Sequence, residues 1–403
     1  MSLLAGLQFL DLADEKASFC SKLLADLGAE VIKIERPGGD TSRWIGPFWK
    51  NTPHSERSLS FWYNNSNKLG ITLDLETEEG QGIFRQLASK TDAVIETFPP
   101  GYLEKLGLDH ASLIEINPRL ILASVTGFGQ TGPYRQYKSC DIVASATGGQ
   151  MYICGAPGTL PLKPYGEQSY FVASLFTAIG ILIALRERNQ NGKGQHIDIS
   201  LQQAVAATLG HVFIRYFYDG AVSQRQGHYD RDGSFCLLPC QDGCILLTTE
   251  REWDILINLL DSEGMTEDLK DEAWHDRQYR REHFDHVVAI LSRWTKRHTR
   301  EELFLLGQSM RLPWAPVNSL PEVVNSAQLS KRNFFIPVEC PELVPEAGDK
   351  PLHYPGVPYR FSLPSQNMIR RAPLIGEHNS QIYQERLGLS SQELTRLKAN
   401  KVI

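Results

Sequence analysis

The chain has 403 residues, enough for two domains with full cores, and its 42% hydrophobic and 22% charged residues are ordinary for a globular protein. A formal net charge of −6 argues against non-specific nucleic-acid binding, so any anionic ligand must be met by locally placed basic residues. Seven scattered cysteines, and an opening MSLLAGLQFLDLADEK without a basic n-region or small-residue cleavage site, predict reduced thiols, no secretory leader and a cytoplasmic location.

The first unit runs from Gly6 to Gly39. Gln8 to Leu12 reads as a short apolar strand. Cys20, Leu23, Leu24 and Leu27 recur at i, i+3, i+4 and i+7, the stripe of a helix packed on a sheet, and Gly28 ends that helix as a C′ glycine does. Val31 to Ile34 form a second strand, and Pro37-Gly38-Gly39 turn the chain away. A strand–helix–strand unit this short predicts a right-handed parallel crossover with ligands at the carboxyl ends of the strands. G-x-G-x-x-G is absent, so a nicotinamide or flavin dinucleotide is not expected. Arg36 stands at the exit of the second strand, where an anionic nucleotide could lie.

A polar, Trp-rich passage from Thr41 to Ser58 reads as an irregular surface loop. Ile71 to Leu75 is a strand, and Thr77 starts a helix whose Ile83, Phe84, Leu87 and Ala88 share a face. The strand Ala93 to Glu96 leads through the turn Phe98-Pro99-Pro100-Gly101 into a short helix ending at Leu106. A helix around Leu113 and Ile116 precedes the strand Leu120 to Val125, which ends in Gly127-Phe128-Gly129. This alternation predicts a doubly wound α/β sheet. Helices follow at Asp141–Met151 and Gln168–Arg188, then a strand at His196–Leu201 and a helix through His211, Phe213 and Tyr216. The apolar run Phe171–Leu185, interrupted by Ser174 and Thr177, is short for a membrane span and reads as a buried helix.

Residues 222–330 change character. Short strands at Phe235–Leu238 and Cys244–Thr248 precede charged helices at Glu252–Leu260 and His283–Arg293. Beyond Phe334 the chain is Pro-rich and extended. The expected architecture is a large Rossmann-like doubly wound domain of residues 1–221 and 331–403, with a smaller α+β domain of residues 222–330. Cys236, Cys240 and Cys244 are spaced unlike the closer Cys pairs of zinc sites, so no metal is expected.

Seven segments carry a family resemblance: LLADLGAEVIKIERPGGD, NSNKLGITLDLETEEG, PPGYLEKLGL, GFGQTGPY with the following KSCDIVA, GKGQHIDISLQQAV, APVNSLPEVV and APLIGEHN. In this order they resemble the family III CoA-transferases, the group that includes formyl-CoA:oxalate and carnitine CoA-transferases, over nearly the whole chain. The resemblance implies coenzyme A or an acyl-CoA as substrate, a carboxylic acid as its partner, and no metal. It places Arg36 at the adenosine phosphate region and Asn67 and Lys68 in a loop touching the nucleotide. Thr97 and Phe98 would lie beside the adenine, and Lys105 stands where the family has a phosphate-binding arginine. Lys138 matches a lysine that reaches the phosphates. Lysine at 105 binds as a point charge, without the bidentate fork of arginine. Read without the resemblance, each of these is an ordinary surface side chain. The GEHN histidine, His378, reads as packed and hydrogen-bonded.

In that family an aspartate near the start of the long helix attacks the thioester, giving an anhydride and then an enzyme-bound CoA thioester. Aligned through AIGILIAL, its position is Tyr170. The nearest carboxylate is Glu167, either a replacement nucleophile or a helix-start carboxylate facing the dipole. Racemases of the same fold use a His and Asp pair, and those positions are Cys140 and Tyr170 here. Asp141 is expected to be structural. The implied function is CoA transfer between an acyl-CoA and a carboxylic acid. The alternatives are a non-catalytic CoA-binding subunit beside a catalytic homologue, and an isomerase or dehydratase acting on CoA thioesters. An interlocked homodimer is expected, as in the family.

Overall fold

The computed structural model describes residues 3–229, 235–249, 252–340, 351–362 and 369–403. The chain divides into two compact units, Met1–Gln150 with Lys163–Phe213 and Gln328–Ile403, and Met151–Leu162 with Ile214–Ala327.

In the first unit the elements run β1 (Gln8–Leu12), α1 (Ser18–Asp26), β2 (Glu30–Glu35), α2 (Leu59–Asn64), β3 (Leu69–Thr72), α3 (Glu78–Ala88), β4 (Ala93–Glu96), α4 (Tyr102–Lys105), α5 (His110–Ile116) and β5 (Ile121–Thr126). Then follow α6 (Asp141–Thr147), α7 (Gln150–Ile153), whose residues after Gln150 belong to the second unit, α8 (Gln168–Asn191), β6 (His196–Ser200), α9 (Leu201–Ala207) and α10 (Gly210–Asp219), whose residues after Phe213 belong to the second unit. Six parallel strands lie in the order β3-β2-β1-β4-β5-β6, the doubly wound order expected. The central strands are apolar on both faces because both are covered. Phe9, Val31, Ile95 and Ala123 pack under α1, α6, α8 and α9, while Leu10, Ile32, Val94 and Leu122 pack under α3 and α5.

The C-terminus completes the second face. Ile382, Tyr383, Leu394 and Leu397 join the same core as Leu10 and Ile71, from helical turns at Gln381–Arg386 and Ser391–Ala399. The extended return expected beyond Phe334 thus ends in helix. Its GEHN segment also closes the free edge of β3, where an unpaired row of backbone groups would otherwise be exposed. Gly70 N–H donates to His378 Nδ1 at 3.0 Å, and Thr72 N–H donates to Asn379 Oδ1 at 2.9 Å. His378 is therefore the packed, hydrogen-bonded residue read from the sequence.

Other differences have local causes. The helix expected over Asp141–Met151 breaks at Gly148-Gly149, with Gly149 at φ +89°, separating α6 from α7. The strand expected at Ile71–Leu75 sits two residues earlier, in register with β2. The 41–58 passage is ordered by buried Arg43, which donates to both carboxylate oxygens of Glu35 at 2.6 and 2.8 Å. The long helix α8 is only half buried. Ala173, Thr177, Ile181 and Ala184 face the core, while Leu175, Ile179, Leu182 and Ile183 form an exposed apolar stripe. By length and composition α8 could cross a membrane, but half of its most apolar window is buried inside the chain.

The second unit holds a three-stranded antiparallel sheet, β7 (Phe235–Cys240), β8 (Gly243–Thr248) and β9 (Ala315–Pro316). Its core joins Cys236, Leu238, Ile245 and Leu247 to Trp253, Trp294 and Trp314. Burial raises the thiols of Cys236 and Cys240 to about 12 and about 11. Among the described residues no cluster of three or more His, Cys, Asp or Glu side chains could hold a metal.

Candidate active site

Strand order reverses between β1 and β4, so their carboxyl ends, Leu12 paired with Glu96, open a crevice. The β1–α1 turn is held there from below. Asp11 Oδ1 accepts the Ala13 N–H at 2.9 Å, and its Oδ2 accepts Ser21 Oγ at 2.7 Å and Lys68 Nζ at 2.8 Å. Lys68 also donates to Asn65 Oδ1 at 2.8 Å and Ser18 O at 3.0 Å. Lys33 donates to Ala13 O. Burial opposes ionisation of Asp11, but the Lys68 and Lys33 ammonium groups outweigh it and hold the carboxyl below its ordinary value. Burial pulls Lys68 down to about 8, against the attraction of Asp11.

The Lys68 ammonium is fully buried, and these protein acceptors surround it. Its neighbour Asn67, at φ +65°, is a clamp: its N–H donates to Arg370 O at 3.0 Å, its Oδ1 accepts the Arg370 N–H at 2.7 Å, and its Nδ2 donates to Asp26 at 2.8 Å. Thr97 is also a tie. It is buried, and its Oγ1 accepts the Asp14 N–H at 2.9 Å, fastening the end of β4 to the β1–α1 turn.

Arg36 and Phe98 do come together. They line an open cleft of about 420 Å³ with Tyr102, Asp40, Glu76 and Lys401. The Phe98 and Tyr102 rings pack against each other in the wall of this cleft, 4.5 Å apart and tilted by 33°. Arg36 is exposed at the end of β2, and Lys401 adds a second cation. Tyr102 and Lys401 could not be picked out from the sequence, because the C-terminus reaches this cleft only through the fold. Lys105 is exposed at the last residue of α4, and Lys138 is exposed in the loop after β5. Gln136 of that loop donates to Pro100 O at 3.3 Å, which sets it against the Phe98–Gly101 turn.

The position matched to the family nucleophile lies where α6 and α8 begin. The Tyr170 hydroxyl accepts the Asp141 N–H at 3.0 Å. Asp141 Oδ1 accepts the Ser169 N–H at 2.9 Å, Ser169 Oγ donates to Asp141 O at 3.1 Å, and Lys163 pairs with the Asp141 carboxylate at 2.7 Å. Asp141 therefore serves the structure, as expected. Burial, then the Glu15 carboxylate, push the Tyr170 phenol well above its ordinary value, so it is protonated at neutral pH. Glu167 precedes α8 but makes no capping hydrogen bond, and its φ of −105° and ψ of 57° are not helical. Burial, then Asp141, raise its carboxyl, and Lys163 opposes them. Cys140 is exposed just before α6. Glu15 was not apparent in the sequence: it is a half-buried acid in the turn after β1, and nothing in its spacing marks it.

Residues 4–379 match the family model described as CoA-transferase family III. The chain is 34% identical to the succinyl-CoA:(R)-benzylsuccinate CoA-transferase subunit BbsE of Thauera aromatica, covering 93% of this chain and 92% of that one. It is 31% identical to the succinyl-CoA–L-malate CoA-transferase beta subunit of Chloroflexus aurantiacus, covering 99% and 98%. It is 32% identical to the succinate–glutarate CoA-transferase of Agrobacterium fabrum, covering 95% of each. A CAIB/BAIF family protein from Brucella suis superposes with a TM-score of 0.83 at 30% identity, over 95% of this chain and 99% of that one. The protein belongs to CoA-transferase family III.

Proposed function

We propose that the protein binds an acyl-CoA at the carboxyl ends of β1, β2 and β4 and takes part in moving CoA between an acyl-CoA and a carboxylic acid. In this reading it is the subunit that does not carry the nucleophile, and a homologous chain supplies it. The observation that carries the reading is Tyr170. Its phenol is buried, protonated and bound to a backbone N–H, so it offers no carboxylate to form an anhydride. Two of the similar proteins are named as subunits, which supports a two-chain enzyme. Arg36, Lys105, Lys138 and Lys401 supply the positive charge that CoA phosphates need. Chains pair through the exposed stripe of α8, whose Leu175, Ile179, Leu182 and Ile183 otherwise meet water. The location assigned is cytoplasmic.

A second reading rests on Glu167. Its carboxyl is half buried, takes no part in capping α8 and lies one helical turn before Tyr170. In that case the chain is itself a transferase with a relocated nucleophile. One experiment separates the two. The chain is purified alone, titrated with free CoA by calorimetry, then incubated with succinyl-CoA, reduced with borohydride and mapped by mass spectrometry. CoA binding without a modified carboxylate is the expected result. An adduct on Glu167 selects the second reading, and no CoA binding overturns both.

A further inference from the structure

On the sheet face covered by α5, a second cavity of about 320 Å³ lies behind the turn that carries Phe98. Glu96, the last residue of β4, stands at its inner end. Glu96 is paired with Ser124 across β4 and β5, and Leu122 with His196 across β5 and β6, so Glu96, Ser124 and His196 share one face. Glu96 Oε2 accepts the Phe98 N–H at 2.6 Å, and Ser124 Oγ lies 2.9 Å from His196 Nε2. Ser124 thus stands between Glu96 and His196 and favours the ionised form of the Glu96 carboxyl. His110 of α5 stacks on His196 with ring centres 5.7 Å apart. The two cavities share a wall. Pro99, Gly101, Leu103 and Glu104 line this one, and Phe98 and Tyr102 line the nucleotide cleft.

We infer that Glu96 is a proton-linked positioning residue: its ionised carboxylate holds the Phe98–Lys105 turn in the form that presents the Phe98–Tyr102 ring pair, and protonation loosens that turn. The consequence for CoA rests on the function proposed above. A carboxylate accepting a backbone N–H makes a stronger, charge-assisted bond than a neutral carboxyl does. Burial raises Glu96 to about 7, the Ser124 and Phe98 hydrogen bonds oppose that rise, Asp14 adds to it and Lys16 reduces it. Burial holds His196 below its ordinary value although Asp198 and Asp109 pull it up. His110 is likewise lowered, by burial and by His196, against Asp109. Burial thus works against the charged form of both imidazoles.

The test compares the parent with Glu96→Gln and Ser124→Ala between pH 6 and 8. Free CoA is titrated by calorimetry, and amide exchange of residues 98–104 in the ligand-free protein is followed by mass spectrometry, corrected for intrinsic rates. CoA has an ionising phosphate of its own, so the quantity read is the difference between parent and variant. The parent should gain about fivefold in affinity relative to Glu96→Gln as pH rises through 7, with protection of the turn rising in step. Ser124→Ala keeps the carboxylate but removes a bond that favours its ionised form, so its transition should move to higher pH. Parallel affinity and exchange profiles in parent and Glu96→Gln would overturn the inference and leave CoA binding standing. An absence of CoA binding by the parent overturns the proposed function instead, and the exchange profile then decides the role of Glu96 by itself.

Discussion

Asp141 and Tyr170 are fastened to each other across the starts of two helices, with the Asp141 N–H donating to the Tyr170 hydroxyl at 3.0 Å. The bond satisfies one of the orphan N–H groups at the start of α6, which has no side-chain cap from Cys140. Tyr170 is thus tied into the scaffold. Side chains committed to the scaffold answer substitution through stability, and those open to a ligand answer through affinity.

Lys68 belongs to the scaffold. Replacing it by Ala leaves Asp11 buried without its main cation, and such a break costs about 3–5 kcal/mol. Chemical denaturation should show this loss directly. Lys68→Ala protein that keeps parental stability but loses CoA affinity would return the residue to the ligand site.

Lys138 is exposed, in a loop seated on the Phe98–Gly101 turn. Its replacement by Ala should leave the melting temperature unchanged and weaken CoA by ~1–3 kcal/mol, the range of a charge-assisted phosphate bond. Calorimetry checks both parts, and unchanged affinity would remove Lys138 from the site.

Glu96 makes stability depend on pH with a sign opposite to that of a salt-bridged carboxylate. Its folded value, about 7, lies above its ordinary value of 4.5, so the folded protein holds a proton that the unfolded chain has lost. Stability therefore falls as pH rises from about 4.5 to about 7, by about 3 kcal/mol at most, and then levels off. Glu96→Gln should flatten that slope in denaturation series across this range. An equal slope in both proteins would assign the dependence to other groups.

The apolar stripe of α8 should lie between chains. Ile183→Glu places a charge in it and should yield aggregated or dissociated protein, while the parent shows no monomer on dilution by native mass spectrometry. For an interlocked dimer, labelled and unlabelled parent chains should not exchange short of unfolding. Rapid exchange would leave a simple docked dimer.

Much of this fold is legible in the sequence because doubly buried strands are short continuous apolar runs set off by glycine turns. Gly28 and Gly38 both adopt positive φ where the turns were read. Contacts that join distant parts of the chain were not legible. Nothing local to Asn67 says that it clamps Arg370, or that Lys401 reaches the Arg36 cleft. Burial was misjudged for the same reason: Lys68 looks like a surface lysine until Asp11 is placed beneath it. The candidate site therefore divides. Arg36 is legible from its position at a strand exit and Phe98 from the family resemblance, whereas Tyr102 and Glu15 need the folded chain.

Tyr170→Phe removes the acceptor of the Asp141 N–H and leaves that donor buried, a loss of about 1–3 kcal/mol in stability. If the chain lacks a nucleophile, this variant should not alter catalysis, because there is none to lose in the protein purified alone. Tyr170→Asp puts a carboxylate back at the helix start. Passage of label from free succinate into succinyl-CoA is the measurement, with parent and Tyr170→Phe silent and Tyr170→Asp active above background. Activity in the parent that survives Tyr170→Phe and disappears in Glu167→Gln would instead identify Glu167 as the attacking group. It would also make Tyr170 a structural neighbour of a working transferase site.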